Sequence, residues 1–358
     1  MSKPPYRVMS MEEIKSLPWN GFYAISTFSG CGGSSLGYRM AGFRVLWASE
    51  FIDAARECYI ANKAPYTIVD GRDIRNVKHE DILEAIKMKP GELDLFDGSP
   101  PCASFSTAGK RESNWGKVKK YSDKAQRTDD LFFEFARLVR GVQPKVFVAE
   151  NVSGLVKGTA KGYFLEILKE LKSCGYSVKC RVLDAQWLGV PQMRQRTIFV
   201  GVRNDLGIEP VHPEPLTYQY TVRDAIPWIE GKVENPFELE KDTKFPPCIE
   251  REYDNFKVGE ASEKYFSLVK PSLSLPCPTV TQKAGTPAAG VVHPLEKRKF
   301  TIGEIKRICA FPDDFILTGT YAQKWERCGR AVPPVMMSHI AETIRDRILR
   351  RIDDARNP

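Results

Sequence analysis

Apolar and polar positions follow two periods along this chain, and the two periods take turns. Short apolar runs occur at Phe22-Tyr23-Ala24-Ile25-Ser26-Thr27-Phe28, Val45-Leu46-Trp47-Ala48, Leu93-Asp94-Leu95-Phe96, Val146-Phe147-Val148-Ala149 and Thr197-Ile198-Phe199-Val200-Gly201-Val202. Bounded by glycine, proline or acidic residues, they predict buried strands. Between them the period lengthens. Leu131, Phe135, Leu138, Val139 and Val142 recur at helical spacing, as do Phe164, Ile167, Leu168 and Leu171, with Gly175 placed to stop the second helix. Strand and helix signals alternating over residues 21–202 predict a doubly wound, mostly parallel α/β sheet.

The texture changes after Arg203. From Asn204 to Pro278 prolines are dense, helical periodicity is weak and charges are mixed, which predicts a second, smaller, irregular or β-rich domain. Regular pattern resumes as a helix within Phe300 to Phe311. A final amphipathic helix carries Ile340, Ile344, Ile348 and Ile352 on one face, so the end of the chain is expected to pack back on the first domain.

Composition narrows the class. The 358 residues are 42% hydrophobic and 27% charged, values of a soluble globular protein. No apolar stretch is long enough for a membrane span, and Met1-Ser2-Lys3-Pro4-Pro5-Tyr6 lacks the apolar core of a secretory signal. Nine scattered cysteines without a Cys-x-x-Cys pair point to a reducing, cytoplasmic setting, with neither a metal site nor a disulfide framework. A net charge of +8 admits a polyanionic partner without requiring one.

The sharpest chemical feature follows the third apolar run. In Ser99-Pro100-Pro101-Cys102 a thiol comes directly after two prolines, each of which fixes φ. A thiol at the carboxyl end of a parallel strand sits where open α/β sheets keep their ligands. Two readings stand here: a nucleophile on a rigid elbow, or a small buried hydrophobe. The loop Phe28-Ser29-Gly30-Cys31-Gly32-Gly33-Ser34-Ser35 lets the backbone approach a ligand, though a tight turn would need glycines too. Ser35 stands where a dinucleotide fingerprint has its third glycine, and no lysine supports an ATP phosphate loop. Glu50 is placed to hold ribose hydroxyls, and Asp73-Ile74 an adenine amino group and face. Taken singly, each carboxylate also reads as a helix cap or a solvated charge.

Glu150 ends the fourth run and is expected near Cys102. Desolvation there would raise its pKa and let it share a proton with a ring nitrogen, unless it caps a helix or pairs with an arginine. Alternation puts Arg194 and Arg196 on one face, suited to a carbonyl or a phosphate, or to surface ion pairs. After Cys102 comes a cationic segment, Lys110, Arg111, Lys117, Lys119, Lys120, Lys124 and Arg127, with Trp115 among them. It fits closure over a phosphate backbone, or simple solvation.

In this order, the segments resemble the DNA cytosine-5 methyltransferases over nearly the whole chain. Phe28 to Gly33, Glu50 and Asp73-Ile74 resemble the family's first three motifs. Ser99-Pro100-Pro101-Cys102 with Phe105-Ser106 resembles its nucleophile motif, and Leu131 to Arg137 the helix that follows. Glu150-Asn151-Val152 and Gln192-Met193-Arg194-Gln195-Arg196 resemble the motifs around the flipped base. Pro278-Thr279-Val280-Thr281 and Phe311-Pro312-Asp313-Asp314-Phe315 resemble the late motifs. The resemblance implies a Rossmann-like catalytic and cofactor-binding domain over 1–203, completed by 301–358, with target recognition and a hinge in 204–300.

The implied chemistry is methyl transfer from S-adenosylmethionine to C5 of a cytosine flipped from duplex DNA. Cys102 would add to C6, Glu150 would hold a proton at N3, Arg196 would bind O2, and Arg194 would help fix Arg196 and the backbone. The donor would lie against Phe28, Gly30, Cys31, Gly32, Gly33, Glu50, Phe51, Asp73, Ile74, Asp97, Pro100, Leu131, Arg330 and Ala331. Ser106, Lys110, Arg111, Lys119 and Lys120 would meet DNA. A monomer acting at one short site within restriction–modification is expected. An RNA methyltransferase and a silent DNA-binding relative are the competing classes. The length of 204–278 favours DNA over RNA, and the presence of Cys102, Glu150, Arg194 and Arg196 favours activity.

Two positions depart from the family pattern: Ala103 replaces the usual Gln, and Arg330 the usual Asn. An arginine beside a sulfonium would cost about 4 kcal/mol at roughly 4 Å and an effective dielectric of about 20. Arg330 therefore turns outward, pairs with a protein carboxylate such as Asp97 or Glu150, or grips a carboxylate on the donor. The last option implies carboxy-S-adenosylmethionine as donor and 5-carboxymethylcytosine as product.

Overall fold

The computed structural model describes residues 3–101, 130–156, 161–265, 268–282 and 290–355, with the backbone alone of 119–121, 124–126 and 356. Cys102, Ser106, Lys110, Arg111 and the side chains of Lys119 and Lys120 lie outside the described residues.

Along the chain, α1 (Met11–Ser16) precedes β1 (Tyr23–Thr27), α2 (Gly33–Met40), β2 (Arg44–Ser49), α3 (Asp53–Asn62), β3 (Ile68–Asp70), α4 (His79–Ile86) and β4 (Leu95–Gly98). The hairpin β5 (Lys119–Tyr121) and β6 (Lys124–Gln126) follows, then α5 (Leu131–Val142), β7 (Val146–Val152), α6 (Lys161–Ser173), β8 (Tyr176–Asp184), β9 (Gln192–Met193) and β10 (Gln195–Arg203). The remaining elements are α7 (Val222–Ala225), α8 (Pro247–Glu252), β11 (Cys277–Pro278), α9 (Ile302–Ile308), α10 (Tyr321–Arg330), α11 (Pro334–Ile344) and α12 (Arg350–Arg356).

Two compact units result. One holds Leu17–Leu183, Gln195–Glu214 and Met337–Pro358; the other holds Met1–Ser16, Asp184–Arg194 and Pro215–Met336. In the first, a seven-stranded sheet runs β3-β2-β1-β4-β7-β10-β8. Neighbours from β3 to β7 pair in parallel, and β10 runs antiparallel to β7. All five predicted strands are present. Sequence pattern missed β3 and β8 because neither is buried on both faces: Ile68 is exposed and β8 is mostly half-exposed.

The chain winds outward from β1 through β2 to β3, then restarts on the other side of β1 with β4. That reversal creates a crevice at the carboxyl ends of β1 and β4. On one face of the sheet, α5 buries Leu131, Phe132, Phe135, Leu138, Val139 and Val142. Phe135 meets Phe96 of β4 and Phe147 of β7 edge to face, at centroid distances of 5.3 and 6.0 Å. Each such ring contributes about 1.5–3 kcal/mol by burial. Gly98 makes the approach possible, since a Cβ there would lie 2.5 Å from the Phe135 ring and 2.7 Å from Thr27 Oγ1.

Ile340, Ile344, Ile348 and Ile352 are all buried, and residues 337–358 belong to the sheet unit. One wider helical turn, Arg345–Leu349, separates α11 from α12 in what the sequence presents as one helix.

The other unit is irregular rather than β-rich. Among its described residues, the only paired strands are the two-residue β9 and β11. Compactness also divides the chain elsewhere than the expected roles do. Residues 204–214 stay with the sheet, where His212 Nε2 lies 3.0 Å from Ile198 O. Residues 301–336 go with the irregular unit, because Glu304 of α9 takes both Nη atoms of Arg298 at 2.8 and 2.9 Å. Among the described residues, no helix is long and apolar enough to cross a membrane.

Candidate active site

Register brings two loops together in the sheet unit. Thr27 pairs with Gly98 at the ends of β1 and β4, and Ser99 N donates to Thr27 O at 3.3 Å. The glycine loop leaves β1 here, and the chain toward Cys102 leaves β4 beside it. Phe28 and Gly30 adopt left-handed φ of 54° and 56°, and Gly32 caps α2 at φ 99°. A Cβ on Gly30 would meet nothing within 4 Å, so the loop faces open space.

Glu50, at the end of β2, holds that loop. Its Oε2 accepts from Gly30 N and its Oε1 from Ile52 N, each at 2.7 Å. Asp73 behaves similarly. It accepts from Arg75 N at 3.0 Å, capping the short turn Ile74–Asn76, and from the Arg75 side chain. The cap reading is correct for Asp73, and it orients the carboxylate that the binding reading needs. Cys31, Gly32, Gly33, Ile74, Pro100 and Leu131 are buried near these strand ends, and Phe51 is half-buried.

Asp97 is only 1% exposed, with its carboxyl engaged by protein hydroxyls. Ser26 Oγ and Tyr38 OH donate to it at 2.8 and 3.0 Å, and Ser29 Oγ of the glycine loop reaches Ser26 Oγ at 3.2 Å. Burial drives its carboxyl up to about 7; the bonds from Ser26 and Tyr38 oppose the rise and the negative Glu150 adds to it.

Glu150 lies two residues before the end of β7 at 9% exposure, and Arg196, the second residue of β10, is in register with Val152. Arg196 Nε lies 2.6 Å from Glu150 Oε1, in a pair whose side chains are 13% and 11% exposed. Of the alternatives open in the sequence, pairing with an arginine is the one adopted. Asn151 Nδ2 donates to Pro100 O at 3.1 Å, which ties the end of β7 to the proline elbow. Asn151 appeared in the sequence only as part of its motif; the bond that gives it a role is tertiary.

Arg194 and Arg196 do not share a face. The strand breaks at Arg194, which belongs to the irregular unit and is 1% exposed. Its Nη1 donates to Val280 O at 3.1 Å and its Nη2 to Gly329 O at 2.8 Å. Arg194 therefore fixes backbone and is a positioning residue. Arg330 also departs from both named partners, Asp97 and Glu150. Its Nε lies 2.6 Å from Glu326 Oε1 one turn back on α10, and Glu326 Oε2 takes Arg327 Nη2 at 2.7 Å. Ala331 follows, half-buried.

Residues 22–346 match the family of C-5 cytosine-specific DNA methylases. The chain is 31% identical over 338 residues to the Type II methyltransferase M.NgoFVII of Neisseria gonorrhoeae, covering 89% of this chain and 85% of that one. It is 33% identical over 332 residues to the Type II methyltransferase M.Bsp6I of Bacillus sp. (strain RFL6), covering 89% and 97%. In fold it is similar to a prophage-encoded E. coli protein described as a DNA modification methyltransferase, at TM-score 0.71, 22% identity and coverage of 92% and 99%. A Spodoptera frugiperda DNMT2 variant superposes at TM-score 0.63 and 18% identity, covering 89% and 98%. The chain belongs to the C-5 cytosine-specific DNA methylase family and is a DNA cytosine methyltransferase.

Proposed function

We propose that the protein methylates C5 of a cytosine extruded from a specific short site in duplex DNA, with S-adenosylmethionine as donor and Cys102 as nucleophile. The observation that carries this reading is the bond from Asn151 Nδ2 to Pro100 O, because it holds the elbow leading to Cys102 against the strand that carries Glu150. The donor fits the crevice: Gly30 faces open space, Glu50 fixes the glycine loop and Asp73 is oriented beside Ile74. When bound, S-adenosylmethionine supplies an electrophilic methyl group on a sulfonium.

The chain's own residues prepare the base. Addition of the Cys102 sulfur to C6 moves the 5,6 electron pair to C5, while Glu150 holds a proton at N3 and takes up the charge that develops on the ring. The ion pair with Glu150 holds the Arg196 guanidinium, whose Nη1 donates to Gln195 O at 2.8 Å, and Nη2 is the donor suited to O2. C5 would then form its bond to the methyl carbon as the sulfonium–methyl bond breaks and S-adenosylhomocysteine leaves; loss of the C5 proton to water and departure of the Cys102 sulfur as thiolate would restore aromaticity. Ser106, Lys110, Arg111, Lys119 and Lys120 are assigned to the DNA backbone, and the irregular unit to site recognition.

Carboxymethyl transfer would require Arg330 to grip a carboxylate of carboxy-S-adenosylmethionine. Glu326 already holds its Nε at 2.6 Å, which favours the methyl donor. To test the reading, duplex DNA is incubated with each donor separately and its nucleosides are weighed. 5-Methylcytosine is expected from S-adenosylmethionine, no 5-carboxymethylcytosine from the carboxy donor, and no product from Cys102→Ala. A 5-fluorocytosine duplex should form a denaturation-resistant adduct with the wild type alone. Product from Cys102→Ala would overturn the mechanism.

A further inference from the structure

We propose that Arg75 is a positioning residue for the donor, a clamp that holds the Asp73–Ile74 wall of the pocket to the Asp130–Leu131 wall. The clamp bears on the reaction because, on the reading above, Asp73, Ile74 and Leu131 meet the donor.

The guanidinium is used on two edges. Nη1 donates to Asp73 Oδ1 and Oδ2 at 3.2 and 3.0 Å. Nε and Nη2 grip Asp130 as a fork, at 3.0 Å to Oδ2 and 2.7 Å to Oδ1. Asp73 follows β3 at one end of the sheet order, whereas Asp130 is the residue before α5, which packs under β4. One side chain thus spans two elements that approach the crevice from different directions. Arg137, also on α5, fastens the same pair of elements with Nη2 bonds to Ile74 O at 3.1 Å and Val77 O at 3.0 Å. Arg137 pairs with Glu134 within α5 and reaches only carbonyls on the other element, whereas Arg75 joins a carboxylate on each.

Charge explains why an arginine stands here. Two carboxylates drawn toward one pocket repel, and a planar cation with donors on both edges offsets that repulsion while fixing their separation. Lysine is a point charge and holds one of them well. With Arg75 gone, Asp73 keeps its cap on the turn but loses the partner that orients it, and the start of α5 loses its tie to β3.

The test is donor binding by calorimetry to the full-length protein, combined with steady-state kinetics. Arg75→Ala should weaken S-adenosylmethionine and S-adenosylhomocysteine alike, by about 10-fold, because the clamp addresses the adenosyl half that both share. KM for the donor should rise in step, kcat at saturating donor should stay within about twofold, and KM for DNA should not move. Arg75→Lys should recover part of the affinity. Asp130→Asn should weaken binding, and the double variant should be no worse than Arg75→Ala, since both remove one interaction. Wild-type affinity for both nucleosides in Arg75→Ala would overturn the proposal, as would a loss confined to kcat or a loss that follows a fall in melting temperature. Wild-type protein that binds no S-adenosylmethionine would instead overturn the donor reading, before any variant is made.

Discussion

The two compact units both bury charged side chains, and they use them differently. In the sheet unit the buried carboxylates Glu50, Asp97 and Glu150 gather at the carboxyl ends of strands β2, β4 and β7. The ladder and a large apolar core that includes Phe96, Phe135, Phe147 and Phe199 already hold the backbone there. The irregular unit also buries many apolar side chains, among them the cluster of Ile249, Tyr253, Phe256, Leu268 and Val292, and charged groups fasten its chain as well. Arg194 takes two carbonyls, Lys270 Nζ donates to Phe256 O at 2.8 Å over the Tyr253 ring, and Arg298 pairs with Glu304. Where the ladder satisfies most of the backbone, buried carboxylates are confined to loop amides and hydroxyls at the strand ends, as with Glu50 and Asp97. Where it does not, buried cations satisfy carbonyls along the chain.

Changing one carboxylate in each unit breaks this comparison most directly. Glu150→Gln should lower turnover by about 10²–10⁴, with donor affinity close to wild type and a smaller stability loss than Glu304→Ala, because the amide oxygen keeps a contact with Arg196 and the ladder holds the strand. Glu304→Ala should do the reverse, destabilising the protein by about 3 kcal/mol in urea titrations, because Arg298 keeps only the more exposed Glu296 and α9 loses its Thr301–Glu304 capping box. A stability loss in Glu150→Gln as large as that in Glu304→Ala would show that both units use charge the same way.

Asp97 sharpens the contrast, since it is buried charge inside the sheet unit without a cation. Its carboxyl is raised to about 7 in the folded protein, against about 3.9 in an unfolded chain. The folded state therefore binds the proton more tightly. The associated stability is fully present below about pH 4 and lost as pH rises through about 7, by up to about 4 kcal/mol. Unfolding of wild type and Asp97→Asn should be compared from pH 5 to 8. The difference should move in the variant's favour as pH rises; a difference independent of pH would mean that Asp97 is not the group that titrates.

The smallest effect is expected at a cap. Thr320 accepts from Gln323 N and Gln323 Oε1 accepts from Thr320 N at the start of α10, so Thr320→Ala should cost about 1 kcal/mol by thermal melts.

Legibility in the sequence follows the same divide. The runs ending at Phe28, Phe96 and Ala149 are apolar because parallel strands are buried on both faces, and each predicted strand appears in the sheet. Strands β3 and β8 are not so buried, and their positions do not stand out. Glu50 and Glu150 were legible because they lie at the ends of such strands, and Asp73 because it stands beside Ile74 in a motif of residue types. Arg75, Tyr38 and Ser26 were not, because nothing in their local pattern separates them from ordinary helix, turn and strand residues. Arg194 and Arg196 show the limit most plainly. Alternation assigns them one face, and a single break in the strand sends one to carbonyls and the other to Glu150.

By itself the sequence determined the α/β architecture, the irregular texture of 204–278 and the order of the chemical motifs, because hydrophobic periodicity and residue type are local properties. Tertiary structure alone decided which partner each charged group received: Asp97 with Ser26 and Tyr38, Arg196 with Glu150, Arg330 with Glu326, and Arg75 between Asp73 and Asp130. A charge carries no local signature of its partner. The partner is set by which strand ends and helix starts the folded backbone brings within hydrogen-bonding distance.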